Sequence, residues 1–327
     1  MEGNEKRVRK YFATLADLAT LTGNPIEKVV AEFDEQELYR SGRRKVGVPP
    51  SLVRSHLQSK GVNYSFKVIA HINLRGGIGK TTSAITSASR AAQYGFKTCI
   101  LDMDPQGSAS LVFDVIPEKS DSIFCDIWKN PGEMVVGSLK QIDESLYILP
   151  SSLDNSLLDF HLSNPVSQKT AMSGVCDELK ANGFDLAIID CPPSLGAGVI
   201  SSICAADTVV IPVGSDPFSF RGLELTFLEL TSICSTFVLG QPDVKILLSK
   251  FDRREKISLD ALNTLQGEYR EYLIPGVIRT STEYSKALDR GETVFASTTK
   301  SVAREDYDMY VRYLFGLDMV FKNGEDA

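Results

Sequence analysis

The chain has 327 residues, of which 43% are hydrophobic and 24% charged, with a formal net charge of −7. That length and composition predict a globular protein with one large α/β domain and a small appendage, and the acidic balance argues against a general DNA-coating protein. No apolar run approaches the roughly 18 residues of a membrane-spanning helix, and the opening Met1-Glu2-Gly3-Asn4-Glu5-Lys6-Arg7 is no signal peptide, which predicts a cytoplasmic protein. Six scattered cysteines and the unclustered His56, His71 and His161 predict buried free thiols and no zinc site.

Residues 1–65 read as a separate helical module. Thr14-Leu15-Ala16-Asp17 has the form of a capping box, and Leu15 to Leu21 has helical apolar spacing. Thr22-Gly23-Asn24-Pro25 then breaks the chain, with Asn24 as the expected N-cap and Pro25 as the first helical residue. Ile26, Val29, Val30 and Phe33 give the second segment an apolar face. Two short helices joined by a glycine-containing turn fit a helix-turn-helix, with a small docking or dimerisation module as the alternative. A basic turn, Arg40-Ser41-Gly42-Arg43-Arg44-Lys45, follows, and a third helix is predicted from Ser51 to about Lys60. This head carries 11 Lys/Arg against 8 Asp/Glu over residues 1–66, leaving 24 against 34 in the rest, so any nucleic-acid contact is expected to be local.

From Phe66 to the end, residues 66–327, apolar strands alternate with helical stretches. Strands are predicted at 67–72, 98–101, 146–149, 186–189, 208–213 and 244–248. Helices are predicted at 83–94, 166–182, 196–205, 220–236 and 258–272. Such alternation predicts an α/β fold, a doubly wound, mostly parallel sheet with ligands at the carboxyl ends of the strands.

The first strand runs into Asn73-Leu74-Arg75-Gly76-Gly77-Ile78-Gly79-Lys80-Thr81-Thr82. Glycines let backbone N–H groups close round an anion, and the following helix adds the positive end of its dipole. Lys80 is placed to reach the β/γ-phosphates, and the Thr81 hydroxyl to hold Mg²⁺. Leu74 stands where the general phosphate-loop pattern has glycine; the deviant form, with a basic residue directly before Gly-Gly, fits instead, and here that residue is Arg75.

Two further elements follow at strand ends. In Asp102-Met103-Asp104-Pro105-Gln106-Gly107, carboxylates at i and i+2 leave the strand on one side. Asp104 is the candidate for orienting an attacking water and Asp102 for a water-mediated contact to Mg²⁺. In Leu186-Ala187-Ile188-Ile189-Asp190-Cys191-Pro192-Pro193, four apolar residues deliver Asp190 to the outer shell of the metal.

These residues resemble the ParA/MinD family of deviant-Walker ATPases, and most nearly its DNA-partitioning ParA branch, over roughly residues 66–316. The likeness extends to Ile211-Pro212-Val213 with Phe218 and Gly222-Leu223, to Phe251-Asp252-Arg253-Arg254, to Val277-Ile278-Arg279, and to Asp289-Arg290-Gly291-Glu292-Thr293-Val294-Phe295. It implies a phosphate-loop fold with ATP and Mg²⁺ as cofactors, the nucleotide being held by Arg75, Gly76, Gly77, Ile78, Gly79, Lys80, Thr81 and Thr82. It also implies slow ATP hydrolysis carried by Lys80, Asp104 and Arg75, with metal contacts from Thr81, Asp102 and Asp190. The ATP-bound form is expected to be a homodimer in which the basic residue before Gly-Gly crosses to the partner's phosphates. That dimer is expected to bind DNA non-specifically at the nucleoid and to be stimulated by a ParB-like partner. The head is similar to the extra helix-turn-helix domain of the larger plasmid ParA proteins, which also repress their own operon.

The family residue before Gly-Gly is usually Lys; Arg75 keeps the charge and adds a bidentate fork. Ser249-Lys250-Phe251-Asp252 approximates the pattern with which related GTPases read guanine, which places Asp252 at the base, although the surrounding likeness favours ATP. Candidate DNA contacts are Arg40, Arg43, Arg44 and Lys45 in the head, and Arg253, Arg254, Arg279, Lys286, Arg290, Lys300 and Arg304 in the body. The last helix is poor in basic residues and acid-tipped, so core packing is expected there rather than the membrane binding of MinD-like proteins. A MinD-like or cargo-positioning regulator, and a protein that is mainly a transcriptional repressor, are the competing readings.

Overall fold

The computed structural model describes residues 10–41 and 44–322, with the side chains of 40–46 and 322 left aside. Strands β1 (Tyr39–Ser41) and β2 (Arg44–Gly47) form an antiparallel hairpin. Strands β3 (Lys67–His71), β4 (Thr98–Asp102), β5 (Lys140–Asp143), β6 (Leu146–Leu149), β7 (Leu186–Asp190), β8 (Thr208–Val213) and β9 (Asp243–Leu248) form one sheet in the order β5-β6-β4-β7-β3-β8-β9. Every pairing in it is parallel except β5 with β6.

The predicted doubly wound sheet is therefore present, and its centre explains the near-continuous apolar runs. All five residues of β4 and all five of β7 are buried, because helices cover both faces of a parallel sheet. The six predicted strands are found within a residue of their expected ends. The edge strand β5 is an addition: three of the four residues of its Lys-Gln-Ile-Asp sequence are polar and it pairs on one side alone, so it carries no apolar signal.

The head consists of α1 (Leu15–Thr22), α2 (Ile26–Ala31), the β1–β2 hairpin and α3 (Pro50–Ser59). The capping box at Thr14 forms as predicted, with Thr14 Oγ1 accepting from Asp17 N at 3.0 Å and Asp17 Oδ2 accepting from Thr14 N at 2.8 Å. Gly23 turns the chain at φ +67. Pro25, not Asn24, is the N-cap of α2; the Asn24 side chain accepts instead from Lys28 Nζ at 3.0 Å. The expected basic turn is a hairpin by its backbone: Arg40 lies on β1, and Arg44 and Lys45 on β2. Arg43 falls outside the described residues.

The head packs on the body without a gap in the apolar core. Leu18, Val53 and Leu57 belong to the same buried cluster as Ala88 and Ala91 of the phosphate-loop helix and Tyr307 and Tyr310 of the helix Val302–Leu314. Polar ties reinforce it: Tyr11 N donates to Asp143 Oδ2 at 2.9 Å, and Arg54 Nη2 donates to Asp185 Oδ1 at 3.0 Å. The last helices join this core through Val311 and Leu317, as the sequence predicts. The six cysteines are free, four of them buried.

Candidate nucleotide site

Strand β3 sits between β7 and β8, and its end releases the loop 73–79 directly into α4 (Lys80–Gln93). Buried Asn73 fastens the start of the loop: its Nδ2 donates to Pro212 O at 2.8 Å, and its Oδ1 accepts from Arg75 N at 2.9 Å. Gly77 and Gly79 have φ of +71 and +93, the left-handed backbone that glycine takes without strain. Ile78 between them is buried and anchors the loop to the body. The approach from behind is just as close: a Cβ at Gly222 would stand 2.9 Å from Asn73 Oδ1.

A cavity of about 400 Å³ opens over this loop, lined among others by Gly77, Gly79, Lys80, Thr81, Thr82 and Asp104. Lys80 is almost wholly buried and its Nζ donates to Arg75 O at 2.7 Å. Burial lowers its pKa, opposed by the charges of Asp190 and Asp104. Asp104 Oδ1 accepts from Gln106 N at 2.9 Å, which turns the loop after β4 back toward the cavity.

Asp102 and Asp190 are register partners on the neighbouring strands β4 and β7. Asp102 is held by Ser110, whose N and Oγ donate to Oδ2 at 2.8 and 2.6 Å. Burial raises its pKa to about 6 despite those donors. Asp190 is fully buried, and neither of its carboxylate oxygens has a hydrogen bond of ordinary geometry. Burial first, and repulsion from Asp102 second, push its pKa well up, against the opposing pull of the Thr81 hydroxyl and the Lys80 charge. Two buried carboxylates with an unsatisfied oxygen pair are costly unless a cation neutralises them. A hard divalent ion is what Thr81, Asp102 and Asp190 fit, since all three offer oxygen.

Arg75 is not in the cavity. Its guanidinium is paired with Asp216, and its centre lies 5.5 Å from the Phe218 ring centroid. Asp216 is itself the N-cap of the helix Pro217–Phe237, accepting from Phe218 N at 3.1 Å. Sequence reasoning missed this anchor, although Asp-Pro directly after a strand is a helix-start signal. It missed Ser110 as well, for which no local signal exists.

Two expected roles are not brought together here. Asp252 does not line the cavity; its carboxylate is engaged by Arg254, Nε to Oδ1 at 2.9 Å, and those hydrogen bonds lower its pKa to about 2. Among the body's candidate DNA contacts, Arg304 faces inward: it is 7% exposed, pairs with Asp17 at 3.3 Å and stacks 5.1 Å from the Phe295 centroid. A guanidinium so enclosed cannot displace counterions from DNA, so Arg304 is a structural residue. Arg279 is half-exposed and bound by Asp306, Nε to Oδ1 at 2.9 Å. Lys286 and Arg290 are exposed at one rim of a separate cavity of about 150 Å³, and Arg253 and Lys300 are exposed elsewhere.

A phosphate cradle between strand and helix, with carboxylates at the ends of the two neighbouring strands, defines the P-loop nucleotide hydrolases. The family described as AAA domain (AAA_31) matches residues 66–241, more than half of the chain. The chain belongs to that family and, with its basic residue before Gly-Gly, to the ParA-type P-loop partition ATPases within it. It is 29% identical over 239 residues to the cell division protein PomZ of Myxococcus xanthus, covering 72% of this chain and 73% of that one. It is 27% identical over 243 residues to the sporulation initiation inhibitor protein Soj of Bacillus subtilis, covering 74% and 95%. In three dimensions it resembles a Cyanothece McdA variant in complex with ATP, with a TM-score of 0.68 at 20% identity over 77% of this chain and 96% of that one.

Proposed function

We propose that this protein is an ATP-dependent switch for DNA partition, of a plasmid or a chromosome. In this reading it binds ATP with Mg²⁺, dimerises, holds DNA non-specifically at the nucleoid and is reset when a ParB-like partner accelerates hydrolysis. The observation that carries the reading is the unpaired Asp190 carboxylate buried behind Thr81, beside a cavity lined by Lys80 and Asp104. Mg²⁺ at Thr81 would neutralise the charge that develops on the β- and γ-phosphate oxygens. This chain's own groups do the rest. The glycine N–H groups and Lys80 hold the phosphates, and Asp104, at the mouth, orients the water. Asp102 and Asp190 keep a negative wall behind the metal. Arg75 crosses to the phosphates of the second subunit after leaving Asp216, so the site is complete in the dimer alone.

Non-specific DNA binding rests on the exposed Lys286, Arg290, Arg253 and Lys300 with the half-exposed Arg279. Operator binding, and with it autorepression, would rest on the hairpin residues Arg40, Arg43, Arg44 and Lys45. Burial of Leu317 and the docking of the helix Leu317–Lys322 on the core favour partition over a membrane-bound MinD-like regulator. None of the helices among the described residues is long and apolar enough to cross a membrane.

Co-sedimentation tests this reading. The full chain, with ATP, with ADP and without nucleotide, is spun with duplex DNA of arbitrary sequence and, in parallel, with anionic liposomes. ATP-dependent pelleting with DNA alone is expected. Pelleting with liposomes alone would transfer the protein to the membrane-positioning class.

A further inference from the structure

One strand end beside the nucleotide cavity has no part in the mechanism above. Where β9 ends, Ser249 is buried beneath the phosphate loop, and its Oγ donates to Ile78 O at 2.8 Å. The next residue, Lys250, lines the cavity, and its Nζ donates to Gly77 O at 2.5 Å. Lys250 also has φ +55, one of three non-glycine residues with positive φ among the described residues. Left-handed backbone is strained for a side chain that does not hydrogen-bond locally, and glycine would take it freely. What glycine would lack is the ammonium.

We propose that Ser249 and Lys250 are positioning residues that set the orientation of the cradle's peptide groups before nucleotide arrives. The inference rests on the nucleotide-binding reading above and adds two residues to it. In a planar trans peptide the C=O of one residue and the N–H of the next point in opposite directions. Holding Ile78 O from beneath the loop therefore turns Gly79 N–H upward to the cavity. Holding Gly77 O keeps the plane of the neighbouring peptide, between Gly77 and Ile78, from turning over. Gly76, Gly77 and Gly79 leave these planes the freedom to undergo a flip. The donors that oppose it come from 171 and 173 residues further along the chain. A cradle fixed in advance binds phosphate without first ordering its amides. The strain at Lys250 is the structural counterpart: left-handed backbone turns this side chain back over the loop.

The test is direct binding of fluorescent ADP and ATP analogues to the full chain with Mg²⁺, by anisotropy, for the parent, Lys250→Met, Lys250→Gly and Ser249→Ala, each with its melting temperature. Lys250→Met is expected to weaken both nucleotides by the same factor, about tenfold, as suits loss of a hydrogen bond from a charged donor. Lys250→Gly is expected to weaken them equally while melting no lower than the parent, since it relieves strain; a merely structural lysine would move both readouts together. Ser249→Ala is expected to act in the same direction, and its effect in combination with Lys250→Met to be less than additive because the two hold adjacent peptides. Parent-like affinity in the Lys250 variants overturns the proposal. So does a loss confined to ATP, which would make Lys250 a contact of the terminal phosphate. A parent that binds neither analogue defeats the nucleotide-binding reading itself.

Discussion

Asp17, in the first helix of the head, and Arg90, in the phosphate-loop helix, form an ion pair at 3.1 Å in which the arginine side chain is 1% exposed. The same carboxylate caps α1 through Thr14 and pairs with Arg304 at 3.3 Å, while Arg90 also pairs with Asp308 at 2.6 Å. One partly buried acid thus joins the head, the helix that begins at Lys80 and the helix Val302–Leu314. The head is thereby built into the phosphate-loop body.

Removing the charge at Asp17 leaves Arg90 buried with half its compensation. Asp17→Asn is expected to destabilise the chain by about 3 kcal/mol or more, measured as a shift of the urea midpoint. Burial opposes ionisation of Asp17, but Arg90 and Arg304 outweigh it and hold the carboxyl well below its usual range. A depressed folded pKa contributes stability that is complete above the unfolded value near 3.8 and is lost as pH falls toward the folded one. The parent is therefore expected to lose stability below about pH 4 more steeply than Asp17→Asn. Parallel acid limbs would show that the pair does not form.

Asp104 lines the cavity from outside the phosphate loop. Asp104→Ala is expected to bind ATP like the parent and to lower phosphate release by about 10²-fold or more. Unchanged turnover would take water orientation away from this residue, and would leave a nucleotide-gated repressor as the better reading.

In the proposed dimer, Arg75 has to leave Asp216 before it can reach the second subunit. Arg75→Ala is expected to abolish ATP-dependent dimer formation in sedimentation velocity runs, and Arg75→Lys to preserve part of it, since the charge remains and the fork is lost. If Arg75→Ala dimerises with ATP as the parent does, the cross-subunit role is wrong.

Lys286 and Arg290 are exposed, Arg290 beside Glu292 at 3.4 Å, whereas Arg304 is enclosed. Neutralising the pair Lys286 and Arg290 is expected to weaken binding to arbitrary DNA and to reduce the slope of log affinity against log salt by about 2. Arg304→Ala should instead lower the melting temperature. An Arg304 variant that folds normally and alone loses DNA would return this residue to the binding surface.

In the head, neutralising Arg40, Arg43, Arg44 and Lys45 together is expected to weaken operator binding in gel-shift assays and leave ATP turnover intact. Unchanged operator affinity would make the head a docking module.

The phosphate loop, six of the strands and the position of Asp102, Asp104 and Asp190 at or just after strand ends were legible in the sequence. Each depends on contiguous residues: an apolar run, a turn that glycine permits, an acid at a fixed offset. The capping box at Thr14 and Asp17 was legible for the same reason, because cap and partner lie three residues apart. What Asp17 does beyond its own helix was not. Its partners Arg90 and Arg304 lie 73 and 287 positions away, and no periodicity marks an ion pair across such a distance. Equivalent arginines by sequence became different residues in three dimensions: Arg290 stayed at the surface, Arg304 was enclosed against Phe295, and Arg75 was taken up by Asp216. Local chemistry fixed which groups could bind a nucleotide. Only the packing of distant helices decided which charges remained available to a ligand, since a charge that has found a buried partner is lost to everything else.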